Sequence, residues 1–500
     1  MTNWSSSPPR LSKSRYLAGL QCHKRLFFDV HSPELATKMD AQRRAILDMG
    51  TGIGELARGC FPDGKLVTAD HRHSKDALEQ TAAFLNDPTV PAIFEAAIQH
   101  EGTFIRVDVL ERVEPESWRL IEVKASSRMK RVHLDDVAVQ SYVLQGSGMA
   151  IVGSFLMHIN RRYDYGGGEL VLKELFSIEE VTEAVAERLS AVPQRLANLR
   201  GILSQAVPPV VEPDGHCHTP FECHYWDYCT KQKPDRWIYN LPGSHEFVRA
   251  LMRENVETID NIPSSTSLTI LQQRMKNNVE WISPDLSQRL RSVQYPVHHL
   301  DFETTMPAIP RYEGTRPYQP LPVQWSNHIE SADASLRHES YLCLEAKDPR
   351  EELAVSVLES LGEEGSICVY SEYEKYVLKS LADAFPALRK DLLRLVDRLW
   401  DLLEVLQEHY YHPAFKGSFS MKSVLPALVP SLGYDDLEIR EGASASVFYH
   451  RMVFVESDWV ERQRIAHALH DYCARDTLGM VELRKALRVR ADMFQEEAQQ

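Results

Sequence analysis

The stretch VHHLDFETTM, residues Val297 to Met306, places two carboxylates in an otherwise strand-like, apolar run. Residues two apart in a β-strand project from the same face, so Asp301 and Glu303 are expected to point the same way. At a separation of roughly 5 Å and an effective dielectric constant of about 20, two such charges repel by about 3 kcal/mol. Repulsion of that size indicates a raised pKa or a bound cation, although a solvated strand end is the simpler interpretation of an isolated Asp-x-Glu pair.

The composition is that of an ordinary globular protein, with 43% hydrophobic and 25% charged residues. A chain of 500 residues is too long for one core, so two or three domains are expected. The longest apolar run, at positions 148–159, is too short to span a bilayer, and the opening MTNWSSSPPRLSKSRY lacks the hydrophobic core of a secretory signal. These features predict a cytoplasmic protein with no membrane contact, whose cysteines are metal ligands or inert thiols.

The acidic balance of the chain, a net charge of −15, does not favour a protein that coats long DNA. Any contact with nucleic acid is therefore expected to be local. Mixed helical and strand patterns fill residues 1–233, and short amphipathic runs broken by Pro-Gly and Ser clusters indicate a helical connector over 234–294. A third segment, 295–492, opens with the Asp301 strand and ends in a helical pattern. The expected fold class is α/β with several domains.

The C-terminal segment contains further acidic positions in a definite order. The runs LPVQWSNHIES and LRHESYLCLEA predict two more strands, and GSICVYSEYEKYVLKSLADAF predicts a strand, a turn and a helix with Glu374 near the helix start. In YCARD, Tyr472 and Asp476 are four residues apart, which places them on one face of a predicted helix.

This order of motifs resembles that of the DnaQ-like exonucleases, which have the ribonuclease H-like fold. In that superfamily four carboxylates hold two divalent metals, Mg²⁺ or Mn²⁺, and a tyrosine orients the attacking water. Ser371 and Glu374 stand where the family usually has Asn and Asp, and Asp401 is a reserve candidate for that ligand. The stretch from Lys416 to Ser446 also resembles an uncharacterised bacterial family that pairs it with the DFET and YxxxD motifs. The resemblance implies catalytic roles for Asp301, Glu303, Glu374, Tyr472 and Asp476, with the four carboxylates as metal ligands.

The N-terminal segment contains a second carboxylate pattern. GTFIRVDVLERVEPESWRLIEVKASS predicts two strands around a turn, with Asp108 on the first strand and Glu122 and Lys124 on one face of the second. The pattern resembles the RecB-like PD-(D/E)xK nucleases, which have a restriction-endonuclease-like α/β fold. The resemblance implies that Asp108 and Glu122 bind Mg²⁺ or Mn²⁺ and that Lys124 steadies the scissile phosphate or the nucleophile. Gln140 and Tyr142, on the following helix, resemble the catalytic glutamine-tyrosine motif of that family, although the spacing is QxY rather than QxxxY.

Charged residues around this pattern allow more than one interpretation. Arg128, Lys130 and Arg131 form a local basic patch suited to phosphate contact, with an ordinary solvated loop as the alternative. Glu55 and Glu95 lie in regions where relatives often have an extra ligand, and we interpret both as surface residues of helices.

Four of the eight cysteines are arranged in a pattern: one near the N-terminus and three clustered after the second carboxylate pattern. This layout resembles the RecB-like nucleases with an iron–sulfur cluster, including the CRISPR-associated and AddB types. The resemblance implies a structural [4Fe–4S] cluster. Zinc, with help from His216, His218 or His224, and free thiols remain alternatives. The cysteines concerned are Cys22, Cys217, Cys223 and Cys229.

Together the resemblances imply a metal-dependent nuclease with two catalytic centres. It would hydrolyse phosphodiester bonds in DNA, from a free end, and no residue excludes RNA. One alternative is a nucleic-acid-binding or scaffolding protein in which one or both centres are inactive, which the glutamate at 374 favours. Another is a redox-active iron–sulfur protein, which would leave the carboxylate motifs unexplained.

Overall fold

A computed structural model describes residues 11–70 and 72–499. Helices and strands are mixed along this part of the chain, which forms a multidomain α/β protein, as the sequence patterns predict. Within the same residues, no helix combines the length and the apolar character needed to cross a lipid bilayer.

The described residues separate into two units, each with its own main β-sheet. The first unit contains the described residues up to Lys233 together with Ala308–Tyr318. The second contains Pro234–Pro307 and the described residues from Gln319 onward. Residues 234–294, the expected helical connector, are therefore grouped with the second unit.

The first unit has one sheet with helices packed against it. Its strands are β1 (Leu11–Ser12), β2 (Lys65–Leu66), β3 (Ala92–His100), β4 (Thr103–Glu114), β5 (Ser117–Lys124), β6 (Ala150–Ile159) and β7 (Phe176–Glu180). Its helices are α1 (Lys13–Gln21), α2 (His23–His31), α3 (Ala41–Ala57), α4 (Ser74–Asn86), α5 (Arg131–Gly146), α6 (Leu172–Leu175), α7 (Thr182–Leu189), α8 (Val192–Leu203) and α9 (Trp226–Thr230). Short 3₁₀ turns occur at Pro33–Leu35, Arg58–Cys60 and Gly215–Cys217.

The sheet of the first unit has the strand order β2-β3-β4-β5-β6-β7, and β1 pairs with β4. β3, β4 and β5 are antiparallel neighbours, whereas β5 and β6 run parallel. The parallel pair requires a crossover connection, which α5 supplies. Buried side chains of α5, such as Val137 and Leu144, join a core with strand residues such as Ile93 and Leu120. α5 is therefore fixed against the sheet immediately after the Glu122–Lys124 strand.

The β4–β5 hairpin brings the predicted carboxylates of the first unit together. It turns at Pro115 and Glu116, as the EPESW turn predicts. Its register pairs Val109 with Ile121, so Asp108 and Glu122 lie at adjacent positions on neighbouring strands. The hairpin thus sets the spacing of this pair through backbone pairing.

The second unit has a larger sheet, a two-stranded sheet and a long C-terminal helix. Its strands are β8 (Trp281–Ile282), β9 (Val297–Thr305), β10 (Leu321–Glu330), β11 (Leu336–Leu342), β12 (Ser366–Val369), β13 (Leu399–Asp401) and β14 (Tyr410–Tyr411). Its helices are α10 (His245–Arg253), α11 (Ile270–Asn277), α12 (Leu286–Arg291), α13 (Arg350–Leu361), α14 (Tyr373–Ala384), α15 (Arg389–Asp397), α16 (Leu402–His409), α17 (Met421–Leu428), α18 (Gly442–His450) and α19 (Trp459–Gln499). It also has 3₁₀ turns at Ile238–Asn240, Ile259–Asn261 and Pro413–Phe415, and a π-helical turn at Arg451–Val455.

The five-stranded sheet has the order β11-β10-β9-β12-β13. β9 pairs antiparallel with β10 and parallel with β12, so it lies at the centre of the sheet, between an antiparallel and a parallel set. Every residue of β10 is buried because helices cover both of its faces. On one face Trp325 donates to Ser356 of α13, and on the other Ser326 bonds to Thr477 of α19.

The face of the sheet that α19 covers is the face that bears the DFET carboxylates. Residues paired across neighbouring strands project from the same face, and Ser326 pairs with Asp301 while Gln324 pairs with Glu303. Gln324 and Ser326 both bond to α19. Asp301 and Glu303 are therefore directed at the C-terminal helix, and the predicted common face of the two side chains is confirmed.

Most of the secondary structure expected around the motifs is confirmed. The predicted strands are β9, β10, β11 and β12, and Glu374 is the second residue of α14. Tyr472 and Asp476 lie on α19, and Gln140 and Tyr142 lie on α5. The expectation of a surface helix at Glu95 is wrong. Glu95 lies within strand β3, at a backbone φ of 57°.

A buried ion pair attaches α19 to the sheet and predicts a measurable loss of stability. Arg484 Nη2 lies 3.0 Å from Glu330 Oε2, and both side chains are almost completely buried. We expect Arg484→Ala to lower the free energy of unfolding of the second unit by about 3 kcal/mol, because Glu330 would stay buried with only Arg488, 3.8 Å away, as a counter-charge. Urea denaturation followed by tryptophan fluorescence measures this change.

Lys485 provides the matched control, since it is the next residue and forms an exposed ion pair with Glu482. Exposed pairs contribute about 0–1 kcal/mol, so Lys485→Ala should leave the transition nearly unchanged. Equal effects of the two substitutions would contradict the assigned role of the buried pair.

Candidate functional site

Three carboxylates of the second unit converge at one point. Asp301 and Glu303 of β9 and Asp476 of α19 offer ligand oxygens that all lie within 4.8 Å of one another. The three side chains are partly buried. Sequence separations of more than 170 residues are bridged here because α19 crosses the face of β9.

The pKa values of all three carboxyl groups are raised, because the positive charges nearby do not offset burial and mutual repulsion. Removal from bulk water raises the pKa of Asp301 well above its usual range, and the charges of Asp476 and Glu303 raise it further. Burial and Asp476 likewise raise the pKa of Glu303 to about 8. Burial also raises the pKa of Asp476 to about 6, although Tyr434 and Lys422 act in the opposite direction. The acidic forms of these carboxylates are therefore stabilised.

Glu374 is the fourth predicted ligand and belongs to the same electrostatic group. It is buried at the start of α14, where burial raises its pKa to about 7. Its charge adds to the pKa shifts of Asp301 and Glu303, so it lies close enough to act on both. Ser371 donates to Glu374 Oε2 at 3.4 Å, which orients the carboxylate. Asp401, the reserve candidate, caps α16 through the amide of Leu403 at 2.8 Å.

Tyrosine hydroxyls and one lysine complete the surroundings of these carboxylates. Tyr434 donates a hydrogen bond to Asp476, and its ring lies 6.2 Å from that of Tyr472. Burial, followed by the charge of Asp476, raises the pKa of Tyr472, which keeps its hydroxyl protonated. The sequence interpretation missed Tyr434 and Lys422. Both lie in the stretch that resembles the uncharacterised bacterial family, which was the available signal.

The first unit brings Asp108, Glu122, Lys124 and Gln140 together around buried charges. Lys124 Nζ lies 2.6 Å from Glu122 Oε1, and Gln140 Nε2 donates to Glu122 Oε2 at 2.7 Å. Asp108 Oδ2 accepts from the amide of Val123 at 2.7 Å. All four predicted residues therefore belong to one site.

Two residues of this site were missed by the sequence interpretation. Lys13, at the start of α1, donates to both carboxylate oxygens of Glu122 at 2.9 and 3.1 Å. Asp136, one turn before Gln140 on α5, accepts from Lys124 at 2.6 Å and from Gln140 at 3.1 Å. The i, i+4 spacing of Asp136 and Gln140 was a usable signal, whereas nothing local pointed to Lys13.

The pKa values of this site reflect a balance between burial and paired charges. Burial, followed by the charge of Glu122, raises the pKa of Asp108 to about 7. Burial acts on Glu122 in the same direction, but Lys124 and Lys13 outweigh it and hold the pKa of Glu122 far below its usual range. Burial and the charge of Glu122 also raise the pKa of Asp136. The lysines thus neutralise the first unit's site in part, whereas Lys422 is the lysine whose charge acts on the second unit's carboxylates.

The other charged candidates of the first unit lie outside this network. Arg128, Lys130 and Arg131 are exposed between β5 and the first residue of α5, and in the described part of the chain they form no ion pair. Glu55 is an exposed residue of α3, as expected. Glu95 forms ion pairs with Arg106 at 3.1 Å and with Arg58 at 3.6 Å.

The four patterned cysteines line a single cavity, formed by the α1–α2 junction and the segment around α9. Cys217 and Cys223 are buried, whereas Cys22 and Cys229 are partly buried. Burial, together with the charges of the neighbouring cysteines, raises the pKa of Cys217 to about 11. Four sulfurs are the donor set of a thiolate-bound metal group, but among the described residues the ligand atoms that all lie within 4.8 Å of one another are those of the acidic group and not these sulfurs. The cavity is lined by the cysteines Cys22, Cys217, Cys223 and Cys229.

The histidines that zinc would require are unequally placed. His216 lines the same cavity, with Nε2 3.6 Å from the sulfur of Cys217. His218 bonds to Glu222 at 2.7 Å, and His224 bonds to Asp29 at 2.9 Å. Of the three histidines, His216 is therefore the one positioned to assist the cysteines.

Comparisons with known proteins assign no activity to the chain. Residues 298–420 match a family described as "Domain of unknown function (DUF2779)". No curated protein matches the chain. A solved structure titled "Crystal structure of SSO0001" is similar over 41% of this chain and 81% of its own, with 12% identity and a TM-score of 0.19. A similarity at that TM-score implies no fold or function for this chain.

The raised carboxyl pKa values predict how the second unit's stability depends on pH without divalent ions. The folded state holds protons that the unfolded chain releases above its ordinary carboxyl pKa of 4.5. The free energy of unfolding should therefore fall as pH rises from about 5 to about 8, by at least about 1.4 kcal/mol, which corresponds to one pKa unit. Urea denaturation in EDTA over this pH range measures the dependence.

Two comparisons test the origin of this dependence. Asp301→Asn should flatten it, whereas Glu359→Gln, at an exposed position of α13, should not. Saturating Mn²⁺ should also flatten it. A dependence that survives in Asp301→Asn at full size would contradict the proposed repulsion among the carboxylates.

Proposed function

We propose that the protein is a metal-dependent nuclease with two catalytic centres, one in each unit. The observation that carries this proposal is the convergence of Asp301, Glu303 and Asp476, with Glu374 beside them, in partly buried positions with raised pKa values. Carboxylate oxygens are the ligands that Mg²⁺ and Mn²⁺ prefer. The donor set therefore fits divalent cations.

A ribonuclease H-like, DnaQ-type fold is part of the proposal for the second unit. Supporting it are the central β9 with its DxE motif, the antiparallel β9–β10–β11 set, the parallel β12 and β13, and helices on both faces. When bound, divalent ions supply Lewis acidity and charge neutralisation to an in-line displacement at phosphorus. The four carboxylates would hold the ions. The hydroxyl of Tyr472 bonds to Asp476, and its raised pKa would keep it protonated, so that it could also orient the attacking water.

A RecB-like PD-(D/E)xK fold is the corresponding proposal for the first unit. Asp108 and Glu122 would hold Mg²⁺ or Mn²⁺, and Gln140 orients Glu122 through its hydrogen bond. Lys124 stabilises negative charge on the phosphate or on the nucleophile. The exposed basic patch Arg128, Lys130 and Arg131, which directly follows this strand, supplies backbone contacts to the nucleic acid.

DNA is the substrate that we propose, with hydrolysis from a free end, because RecB-like nucleases act on DNA. The chain has a net charge of −15, so affinity depends on local cations such as this patch and should fall steeply with salt. The cleavage assay described below tests whether the protein also hydrolyses RNA and whether it prefers single or double strands.

We propose a structural [4Fe–4S] cluster at the four cysteines, on the basis of the cavity that they share. Its thiolates would join the α1–α2 junction to the segment around α9, so the cluster would stabilise the first unit instead of taking part in hydrolysis. A cytoplasmic location, where thiols stay reduced, is part of the same proposal.

Cleavage by separate variants tests the two centres. End-labelled single- and double-stranded DNA and RNA are incubated with Mn²⁺ or Mg²⁺, with EDTA as the negative control. We expect Asp301→Asn to reduce hydrolysis by the second unit about 10³-fold, and Lys124→Ala to reduce hydrolysis by the first unit by a similar factor. Each loss corresponds to about 4 kcal/mol of transition-state stabilisation.

Two further proteins complete this assay. The variant that combines Asp301→Asn with Lys124→Ala should be inactive on every substrate. Glu359→Gln should retain wild-type activity, because its side chain is an exposed residue of α13. Full activity in the combined variant would show that neither centre is assigned correctly, and binding without any cleavage would favour the scaffolding alternative.

The cysteine assignment predicts loss of metal and of stability when one ligand is removed. Protein purified without oxygen should contain iron and acid-labile sulfide and should show visible charge-transfer absorption. Cys22→Ser should lose these and lower the free energy of unfolding of the first unit, because it releases the α1–α2 junction.

Cys60 is the matched control in the same unit. It lies at the end of a 3₁₀ turn, away from the cysteine cavity, so Cys60→Ser should retain the full metal content. Zinc without iron would select the zinc alternative, and metal-free wild-type protein would show that the four cysteines are free thiols.

A further inference from the structure

We propose that Lys13 is an internal cation of the first unit's centre, which a divalent metal must displace from Glu122 in order to bind. The inference rests on the proposed nuclease function of that centre and adds a control over its metal occupancy. It assigns a role to a residue that lies more than ninety positions before the nearest carboxylate of the site.

The contacts of Lys13 are those of a bound cation. Its ammonium nitrogen lies 2.9 and 3.1 Å from the two oxygens of Glu122, and 3.7 Å from Asp136. Asp136 and Glu122 have side-chain exposures of 3% and 1%, so these contacts are made away from bulk water. A cation is needed there, because unpaired buried carboxylates are costly.

Lys13 and Lys124 do not occupy equivalent positions. Lys124 lies two residues from Glu122 on the same strand, so β5 keeps it at the site whatever else binds. Lys13 comes from α1 and reaches Glu122 only through its side chain. An ion that binds Asp108 and Glu122 competes with Lys13 for the same two oxygens of Glu122, and the flexible lysine side chain can withdraw.

The first turn of α1, which carries Lys13, is attached to the rest of the first unit. Ser12 caps this helix by accepting a hydrogen bond from the amide of Arg15 at 3.2 Å, and Leu11 and Ser12 pair with β4. The other end of α1 meets Cys22, which lines the cysteine cavity. α1 has nine residues and is about 14 Å long. The contacts of Ser12 and Cys22 attach its two ends to the first unit.

The decisive measurement is Mn²⁺ binding, followed by electron paramagnetic resonance and calorimetry, in full-length protein. The second unit's centre is silenced in every sample by Asp301→Asn and Glu303→Gln. In this background, Lys13→Met should raise the affinity for Mn²⁺ by at least about tenfold, because the competing charge is removed while the length of the side chain is kept. Adding Glu122→Gln should abolish the gained binding.

Two control substitutions separate charge competition from a structural effect. Lys13→Arg keeps the charge and should leave the affinity at or below the wild-type value. Lys75→Met removes an exposed lysine of α4 in the same unit and should change nothing. An unchanged Mn²⁺ affinity in Lys13→Met, or no binding in any variant, would overturn the role proposed for Lys13.

A measurement on unsubstituted Lys13 keeps the inference testable if Lys13→Met is poorly folded. In the same silenced background, Mn²⁺ should increase the acylation of the Lys13 amine, measured by mass spectrometry, because its side chain is only 20% exposed while it contacts Glu122, and it should leave the exposed Lys75 unchanged. Acylation of Lys13 that does not respond to saturating Mn²⁺ would overturn the proposal. Neither readout depends on cleavage, so failure of the proposed nuclease function shows separately, as a lack of hydrolysis by the wild type.

Discussion

The repulsion among Asp301, Glu303, Glu374 and Asp476 is the constraint on which the second unit depends. Asp301 and Glu303 of β9 converge with Asp476 of α19, and Glu374 of α14 lies close enough for its charge to act on the first two. The positive charges that act on this group include those of Lys422 and Arg475. Such an arrangement opposes folding unless protons or cations are present. The surrounding contacts, from the central position of β9 to the buried ion pair between α19 and β10, hold the carboxylates together against that repulsion.

The two centres solve the same electrostatic problem in different ways. In the first unit, Lys13 and Lys124 each contact Glu122 and lie within 4 Å of Asp136, so positive and negative groups alternate. In the second unit, the repulsion between carboxylates is reduced mainly by a tyrosine hydrogen bond to Asp476 and by protons held on the carboxyl groups. The first unit's carboxylates can persist without metal because the two lysines contact them. The charges of Lys422 and Arg475 do not offset burial in the second unit, so a bound ion would stabilise its carboxylates more.

Local pattern was enough to predict much of this architecture. The alternation in β9 placed Asp301 and Glu303 on one face, and the four-residue spacing placed Tyr472 and Asp476 on one helix. Lys13 could not be found in this way, because its contact with Glu122 spans 109 positions and arises only from how α1 packs. The strand at Glu95 was missed because most residues of β3 are buried, so its sequence lacks the polar–apolar alternation that identifies strands.

Tyr434 donates a hydrogen bond to Asp476. The protonation state of the second unit's carboxylates has a consequence for the binding of a divalent ion. Carboxylic acids that still hold protons near neutral pH would have to release them on becoming ligands, whereas the bond from Tyr434 favours the ionised form of Asp476. Uptake of a divalent ion would then be an exchange for hydrogen ions. The heat of binding would follow the ionisation enthalpy of the buffer, and acid would empty the centre well before it unfolded the chain.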